Sequence, residues 1–396
     1  MSGGPGKMKK KFETRAIREQ AARSEHREHS VPIYLTSSFV FDSAEHGQKL
    51  FAGESDGNIY SRYSNPNTDE FVRKICQLED AEDGIATASG MAAVFVSLAG
   101  LLNSGDHILV ARAVFGSTHQ ILTQLLPRWN IAHTYVDIGK PEQWEASIRP
   151  ETRMLFLETP SNPGLELIDL DFAGKLARRH KLILNVDNCF ATPYLQQPSA
   201  YGADLIIHSA TKFIDGQGRT LGGVVAGRAE LIEQLRFFAR HTGPAMSPFN
   251  AWVLSKSLET LAVRMDRHCE NALKLATFLK QQPGIARVRY PFLPSHPQYD
   301  IAQRQMKQGG GVLVFEFSGG FGAARSFIDR LQMLSISSNL GDTRSIVTHP
   351  ASTTHSKLTE EERLAVGITQ GLMRISAGLE HIDDIISDVA QALAHP

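Results

Sequence analysis

Short, almost wholly apolar runs separated by helical stretches begin at Phe71, and this alternation constrains the chain more than any other feature. The runs fall at Gly84–Ser89, His107–Ala111, Ile131–Val136, Met154–Glu158, Leu182–Asp187, Asp204–His208 and Gly223–Ala226. Segments such as Met154-Leu-Phe-Leu157 and Leu182-Ile-Leu-Asn-Val186 offer almost no polar face. A strand of that kind must be covered on both sides, which crossover helices accomplish in a mostly parallel sheet. The pattern predicts a doubly wound α/β domain.

Residues 1–65 lack sustained periodicity and end in the polar, turn-forming stretch Tyr60-Ser-Arg62-Tyr-Ser-Asn-Pro-Asn67, so they are read as an arm. The main α/β domain is assigned to 66–257. Near Ser257 the rhythm changes to one long helix carrying Leu258, Leu261, Met265, Ala272, Leu275, Phe278 and Leu279 on one stripe, until Pro283-Gly284 stops it. Beyond it, strand-like Gly311–Phe317, Leu334–Asn339 and Leu372–Ala377 alternate with helices at Ala323–Leu331 and from His381 onward. Residues 258–396 thus form a connecting helix and a smaller C-terminal α/β domain. The opening Gly-rich segment is the one low-complexity tract.

Composition narrows the partners. The 396 residues carry 41 Lys+Arg against 42 Asp+Glu, a net charge of −1, which leaves no basic excess for a nucleic-acid backbone. The longest near-apolar stretch, Met91–Leu102, falls short of the roughly 18 residues of a membrane span. Lys7, Lys9, Lys10 and Lys11 are followed by Phe12-Glu-Thr-Arg15 where a secretion signal needs its apolar region. Cys76, Cys189 and Cys269 have neither metal-ligand spacing nor the even count of a disulfide framework. A reducing cytoplasm is the expected location.

Several motifs have ordinary readings. Gly216-Gln-Gly-Arg-Thr-Leu-Gly-Gly223 places its third glycine one residue late for a dinucleotide loop and precedes a strand. His26 and His29 sit among charges with no completing ligands, as solvated histidines do. The strand ends are more informative. In Asp204-Leu-Ile-Ile-His-Ser-Ala-Thr-Lys212, an apolar strand runs into Ser209, Thr211 and Lys212, at the edge where open α/β sheets bind ligands. Leu182–Asn188 puts the Asp187 carboxylate at the end of another buried strand, so a cation is expected opposite it. Gly84–Ser89 leads through Gly90-Met91 into a helix whose free N–H groups suit an anion. Taken alone, each also fits a solvated lysine, a cap or a tight turn.

Together these strand ends resemble the pyridoxal-phosphate enzymes of cysteine and methionine metabolism, the family of cystathionine γ-synthase, cystathionine γ-lyase and methionine γ-lyase. The resemblance runs from about Phe12 to the C-terminus. It is carried by Tyr60-Ser-Arg62-Tyr-Ser-Asn-Pro, Ala88-Ser-Gly-Met91, Glu158-Thr-Pro-Ser-Asn162-Pro, Val186-Asp-Asn188, His208-Ser-Ala-Thr-Lys212, Ser338-Asn-Leu-Gly341 and Arg374-Ile-Ser-Ala-Gly-Leu-Glu380. It implies the aspartate-aminotransferase-like architecture, fold type I: a large, mixed but mostly parallel sheet and a smaller C-terminal domain. It also implies pyridoxal 5'-phosphate as cofactor. Lys212 would bond covalently to the cofactor aldehyde and then shuttle protons, and Asp187 would pair with the ring nitrogen. Gly90, Met91, Ser209 and Thr211 would hold the phosphate, with Tyr60 and Arg62 reaching in from a neighbouring subunit. Arg374 would grip the substrate carboxylate, with Asn162 and Ser338 supporting cofactor oxygen and substrate.

One departure bears on the reaction. Where the family usually has a tyrosine over the ring, this chain has Phe115, which stacks equally well but cannot exchange a proton. Ser117 stands where methionine γ-lyases carry a cysteine. Both point away from the lyases. With Asp215–Arg219 and Gly243–Trp252, they look most like the sulfhydrylase branch, which replaces the succinyl group of O-succinylhomoserine by sulfide in methionine biosynthesis. Cystathionine γ-synthase and γ-lyase activity are the alternatives within the family, and a non-catalytic cofactor binder is the alternative outside it. The expected partners are an amino-acid substrate, sulfide, and copies of the chain arranged as a tetramer of dimers with shared sites.

Overall fold

The computed structural model describes residues 10–356 and 359–394; Lys7, Lys9 and the Gly-rich opening segment lie outside them. Seven strands form the large sheet: β1 (Asp83–Thr87), β2 (His107–Ala111), β3 (Ala132–Val136), β4 (Thr152–Glu158), β5 (Ile183–Asp187), β6 (Leu205–Ser209) and β7 (Gly223–Gly227). Their order is β1-β7-β6-β5-β4-β2-β3, and only β7 runs against its neighbours. Side chains alternate between faces, so Met154 and Phe156 enter one apolar layer while Leu155 and Leu157 enter another. This two-sided burial is what the uninterrupted apolar runs require.

The parallel strands bring their carboxyl ends to one edge. Because β7 is antiparallel, its first residue, Gly223, lies at that edge too, in register with Ser209. A second, five-stranded sheet has the order β10-β11-β12-β9-β8, from β8 (Ile285–Arg289), β9 (Val312–Phe317), β10 (Ser335–Ile336), β11 (Ile346–Thr348) and β12 (Leu372–Ser376). Its apolar face packs on the helices Leu261–Leu279, Gly320–Arg330 and Ile382–Leu393.

Three expectations need correction. The long helix runs from Leu261 to Leu279, and Leu258, assigned to it, instead closes a separate helix, Pro248–Leu258. The break coincides with Glu259, whose carboxylate is held by Lys74 at 3.1 Å and by Lys256 at 2.7 Å, and with Thr260, which leaves helical geometry at ψ 5°. Apolar periodicity passes straight through that break and cannot signal it. The expected strand Leu334–Asn339 shrinks to Ser335–Ile336, which frees Ser338 and Asn339 for the site. The arm contains two helices, α1 (Phe12–Arg18) and α2 (Ala44–Ala52), before α3 (Pro66–Glu79). Among the described residues, no helix is long and apolar enough to cross a membrane, and no cluster of His, Cys, Asp or Glu is arranged to hold a metal.

Candidate active site

At the carboxyl edge of the large sheet lies a cavity of about 410 Å³, closed on its other side by Ser338, Asn339 and Arg374 of the smaller sheet region. After β1, Ser89 caps helix α4 (Gly90–Ala99) by accepting the Ala92 N–H at 3.1 Å. The Gly90 and Met91 amides at the helix start are left without partners among the described residues, and both residues line the cavity. Glycine at 90 is obligatory, because a Cβ there would sit 2.4 Å from the Ser209 Cβ. Ser209 and Thr211 line the same cavity, and the Thr211 hydroxyl accepts the Gly222 N–H at 3.1 Å.

At the end of β5, Asp187 accepts the Cys189 N–H at 3.0 Å. The chain's own side chains do not supply the expected cation: no lysine, arginine or histidine lies within ion-pairing distance of Asp187 among the described residues. Burial consequently pushes the Asp187 carboxyl up to about 6, against the Cys189 amide and the charge of His208. The register of β4 on β5 places Glu158 beside Asp187. Burial and the Asp187 charge hold Glu158 well above the usual carboxylate range. Glu158 accepts the Phe115 N–H at 2.8 Å and the Asn162 N–H at 3.0 Å, so it sets the two loops that carry those residues.

Lys212 follows β6 on a turn, and its Nζ donates to Asn339 Oδ1 at 2.5 Å. Desolvation lowers its pKa, with Cys189 opposing and Arg374 assisting the shift. The turn is braced from below by Arg264, which donates to the Phe213 carbonyl at 2.6 Å and the Ile214 carbonyl at 3.1 Å. Arg264 occupies the space a side chain at Gly216 would need, and Gly216 also has φ +70°, which explains part of the glycine-rich loop without a nucleotide.

Arg374, on β12, is 2% exposed. It donates to Asn162 Oδ1 at 2.9 Å and to the Ser338 and Asn339 carbonyls at 2.9 and 3.1 Å. No carboxylate pairs with it among the described residues, and burial lowers it to about 10.

Most of the residues singled out in the sequence therefore meet in one cavity: Gly90, Met91, Phe115, Asn162, Asp187, Ser209, Thr211, Lys212, Ser338 and Arg374. Tyr60 and Arg62 do not. The Arg62 guanidinium lies over the Tyr63 ring at 4.8 Å and donates to the Arg240 carbonyl, facing a different cavity. Ser338 contributes its carbonyl to Arg374, while the neighbouring Asn339 supplies the side chain that meets Lys212. Sequence reasoning missed Asn339 and the orienting role of Glu158, although both sit inside the quoted motifs. Spacing alone does not tell which of two adjacent loop side chains turns inward.

Residues 13–394 match the family described as Cys/Met metabolism PLP-dependent enzyme. The chain belongs to this family. Over 383 residues it is 48% identical to an O-succinylhomoserine sulfhydrylase from Pseudomonas aeruginosa, covering 97% of this chain and 95% of that one. An L-methionine gamma-lyase from Fusobacterium nucleatum is 43% identical over 367 residues, 92% of this chain and 93% of the relative. A Campylobacter jejuni protein, solved under the designation O-acetylhomoserine (thiol)-lyase with a pyridoxyl-lysine monophosphate, superposes with a TM-score of 0.93 at 34% identity, covering 97% of this chain and 99% of the other. Like the rest of its family, the chain is a pyridoxal-phosphate-dependent enzyme with a fold type I α/β architecture.

Proposed function

We propose that the cavity at the large sheet's carboxyl edge holds pyridoxal phosphate and replaces the γ-succinyl group of O-succinylhomoserine by sulfide, giving homocysteine for methionine biosynthesis. The observation that carries the reading is a set of three buried or half-buried charged groups, Asp187, Lys212 and Arg374, none ion-paired among the described residues, in a chain 48% identical to an O-succinylhomoserine sulfhydrylase.

The donor set suits the cofactor. The unpartnered amides of Gly90 and Met91, with the Ser209 and Thr211 hydroxyls, match a phosphate at a helix start. The Asp187 carboxylate, hydrogen-bonded by the Cys189 amide but without an ionic partner among the described residues, matches a protonated ring nitrogen, and Phe115 matches the ring face. When bound, the cofactor supplies an electron sink for carbon acids next to the substrate amine.

The protein's own groups then have distinct tasks. Arg374, prefixed by Asn162 and two carbonyls, receives the substrate α-carboxylate through a charge-assisted fork. Asp187 holds a proton on the ring nitrogen. Lys212, its pKa lowered by desolvation, removes and returns protons at the substrate carbons. Asn339 fixes the amine's direction. Phe115 offers no phenol to protonate a departing thiol, which favours replacement over elimination. A γ-lyase reading is supported by the 43% identity to a methionine gamma-lyase but lacks that acid.

The test is an assay of purified holoenzyme with O-succinylhomoserine and sulfide, monitoring homocysteine and 2-oxobutyrate. Predominant homocysteine is expected. Faster cleavage of methionine or cystathionine overturns the sulfhydrylase reading in favour of the lyase.

In this reading Tyr60 and Arg62 complete the phosphate site of a second subunit, 1–65 is the arm that carries them, and 66–257 and 258–396 act as the cofactor-binding and C-terminal units. Mixing inactive Arg62→Ala and Lys212→Ala subunits restores activity if sites are shared. No recovery after demonstrated subunit exchange removes sharing.

A further inference from the structure

A second cavity, of about 240 Å³, adjoins the first. Asn162 lines both, and Val114 and Gly116, which flank Phe115, line the second. Arg112 is the only lysine or arginine among its described lining residues. It follows β2 directly, and its amide donates to the Val136 carbonyl at 3.0 Å, anchoring its backbone to the sheet. Its guanidinium rests over the Tyr135 ring at 5.4 Å. The Tyr135 hydroxyl is hydrogen-bonded to His119 Nδ1 at 2.7 Å, so the ring that supports Arg112 is itself fixed. No carboxylate lies within ion-pairing distance of Arg112 among the described residues. Glu361 and Glu362 also line the cavity, but Glu362 is engaged with the Thr359 N–H at 2.8 Å. Among the described lining residues Arg112 is the one guanidinium or ammonium an anion meets, facing Glu361 and Glu362, neither of which pairs with it.

We propose that this cavity takes the acyl leaving group and that Arg112 binds its distal carboxylate, selecting ω-carboxyacyl esters of homoserine over simple acyl esters. The inference rests on the O-acylhomoserine reading of the main cavity. Arg374, which meets the α-carboxylate in that reading, donates to Asn162, the residue common to both cavities. A substrate gripped there has the adjoining space open to its γ-substituent. A succinyl ester ends in a carboxylate that fits the planar guanidinium fork, whereas an acetyl ester ends in a methyl group. The aromatic face beneath Arg112 holds the cation in place while leaving its N–H groups free.

The experiment compares holoenzyme kinetics with sulfide and either O-succinylhomoserine or O-acetylhomoserine, for wild type, Arg112→Gln and Arg112→Lys. The succinyl-to-acetyl ratio of kcat/KM falls about fivefold in Arg112→Gln, the scale of a solvent-accessible charge pair, and Arg112→Lys restores part of it. The loss resides in KM for the succinyl ester. An unchanged ratio overturns the subsite while leaving the main reading intact. A wild type that turns over neither ester with sulfide overturns the main reading and the subsite with it. Should Arg112→Gln lose its cofactor absorption, wild-type inhibition decides the matter. Succinate competing more strongly than butyrate, a monoanion of equal length, supports the subsite, and equal competition overturns it.

Discussion

Two buried charge clusters in this molecule are built on opposite plans. Between α3 and the helix Pro248–Leu258, Lys74 is fully buried and fully matched: its Nζ lies 3.1 Å from Glu259, 3.3 Å from Glu70 and 3.2 Å from the Ser255 carbonyl. Glu70 in turn accepts the Ser255 hydroxyl at 2.7 Å and the Ala21 N–H at 2.8 Å. In the site cavity, the half-buried Asp187 and Lys212 and the buried Arg374 have no ionic partner among the described residues. Desolvating a charge costs several kcal/mol, so a cluster that leaves its charges unmatched must recover that energy from something outside the chain. The matched cluster joins elements; the unmatched one receives a ligand.

Substitution at Lys212 should break this contrast most severely. Lys212→Ala is expected to lower turnover by about 10⁴-fold or more and to abolish the visible absorption of the lysine-linked cofactor, because it removes both the attachment and the proton carrier. Retained colour and turnover would assign the cofactor to another lysine. Next is Arg374→Met, expected to reduce kcat/KM by about 100-fold or more through lost charge-assisted hydrogen bonds to substrate. The thermal midpoint of its cofactor-free form should hold or rise, since the unmatched guanidinium is gone. A large drop in that midpoint would mean that Arg374 is structural.

Lys74→Met tests the opposite half of the comparison. Leaving the buried Glu70 without its cation, while Glu259 keeps Lys256, should destabilise the fold by about 3 kcal/mol, read as a lower denaturation midpoint, with kcat per folded site little changed. A wild-type midpoint would erase the distinction between the clusters.

A smaller effect concerns pH. With its carboxyl raised to about 6 in the free site, Asp187 is protonated below that pH and cannot pair with a ring cation. Cofactor affinity should therefore fall as pH drops through about 6. The cofactor-free fold responds with the reverse sign: it binds more protons than the unfolded chain and loses stability as pH rises through the same region. Phosphate esters also titrate near pH 6, so the decisive quantity is the difference between wild type and Asp187→Asn. Parallel pH profiles for the two would remove Asp187 from the cofactor's grip. The subtlest change is Phe115→Tyr, which restores a phenol and should raise the 2-oxobutyrate fraction without altering cofactor affinity. Unaltered partitioning would mean that the missing phenol does not set the outcome.

The large sheet was legible in the sequence because a strand covered on both faces must be apolar throughout, and every strand-like run before Ala229 lies within a few residues of a real strand. The smaller sheet was less so. β8 reads Ile-Ala-Arg-Val-Arg and β11 has only three residues, too short and too mixed to stand out by periodicity. Among site residues, Lys212, Asp187, Gly90 and Arg374 announced themselves as charges or glycines at the ends of apolar strands or within family motifs.

The sequence by itself determined which strands are buried, which residues stand at their carboxyl ends, and which family's chemistry they suit, because those properties are local and periodic. Only the tertiary structure decided that no lysine, arginine or histidine among the described residues pairs with Asp187, that Asn339 rather than Ser338 turns its side chain to Lys212, that Arg62 faces away from its own chain's cavity, and that Arg112 has no carboxylate partner among the described residues. These depend on which segments distant in sequence come within a few ångströms of one another. Residue order does not encode that directly, since it is settled by packing two sheets and their helices against each other.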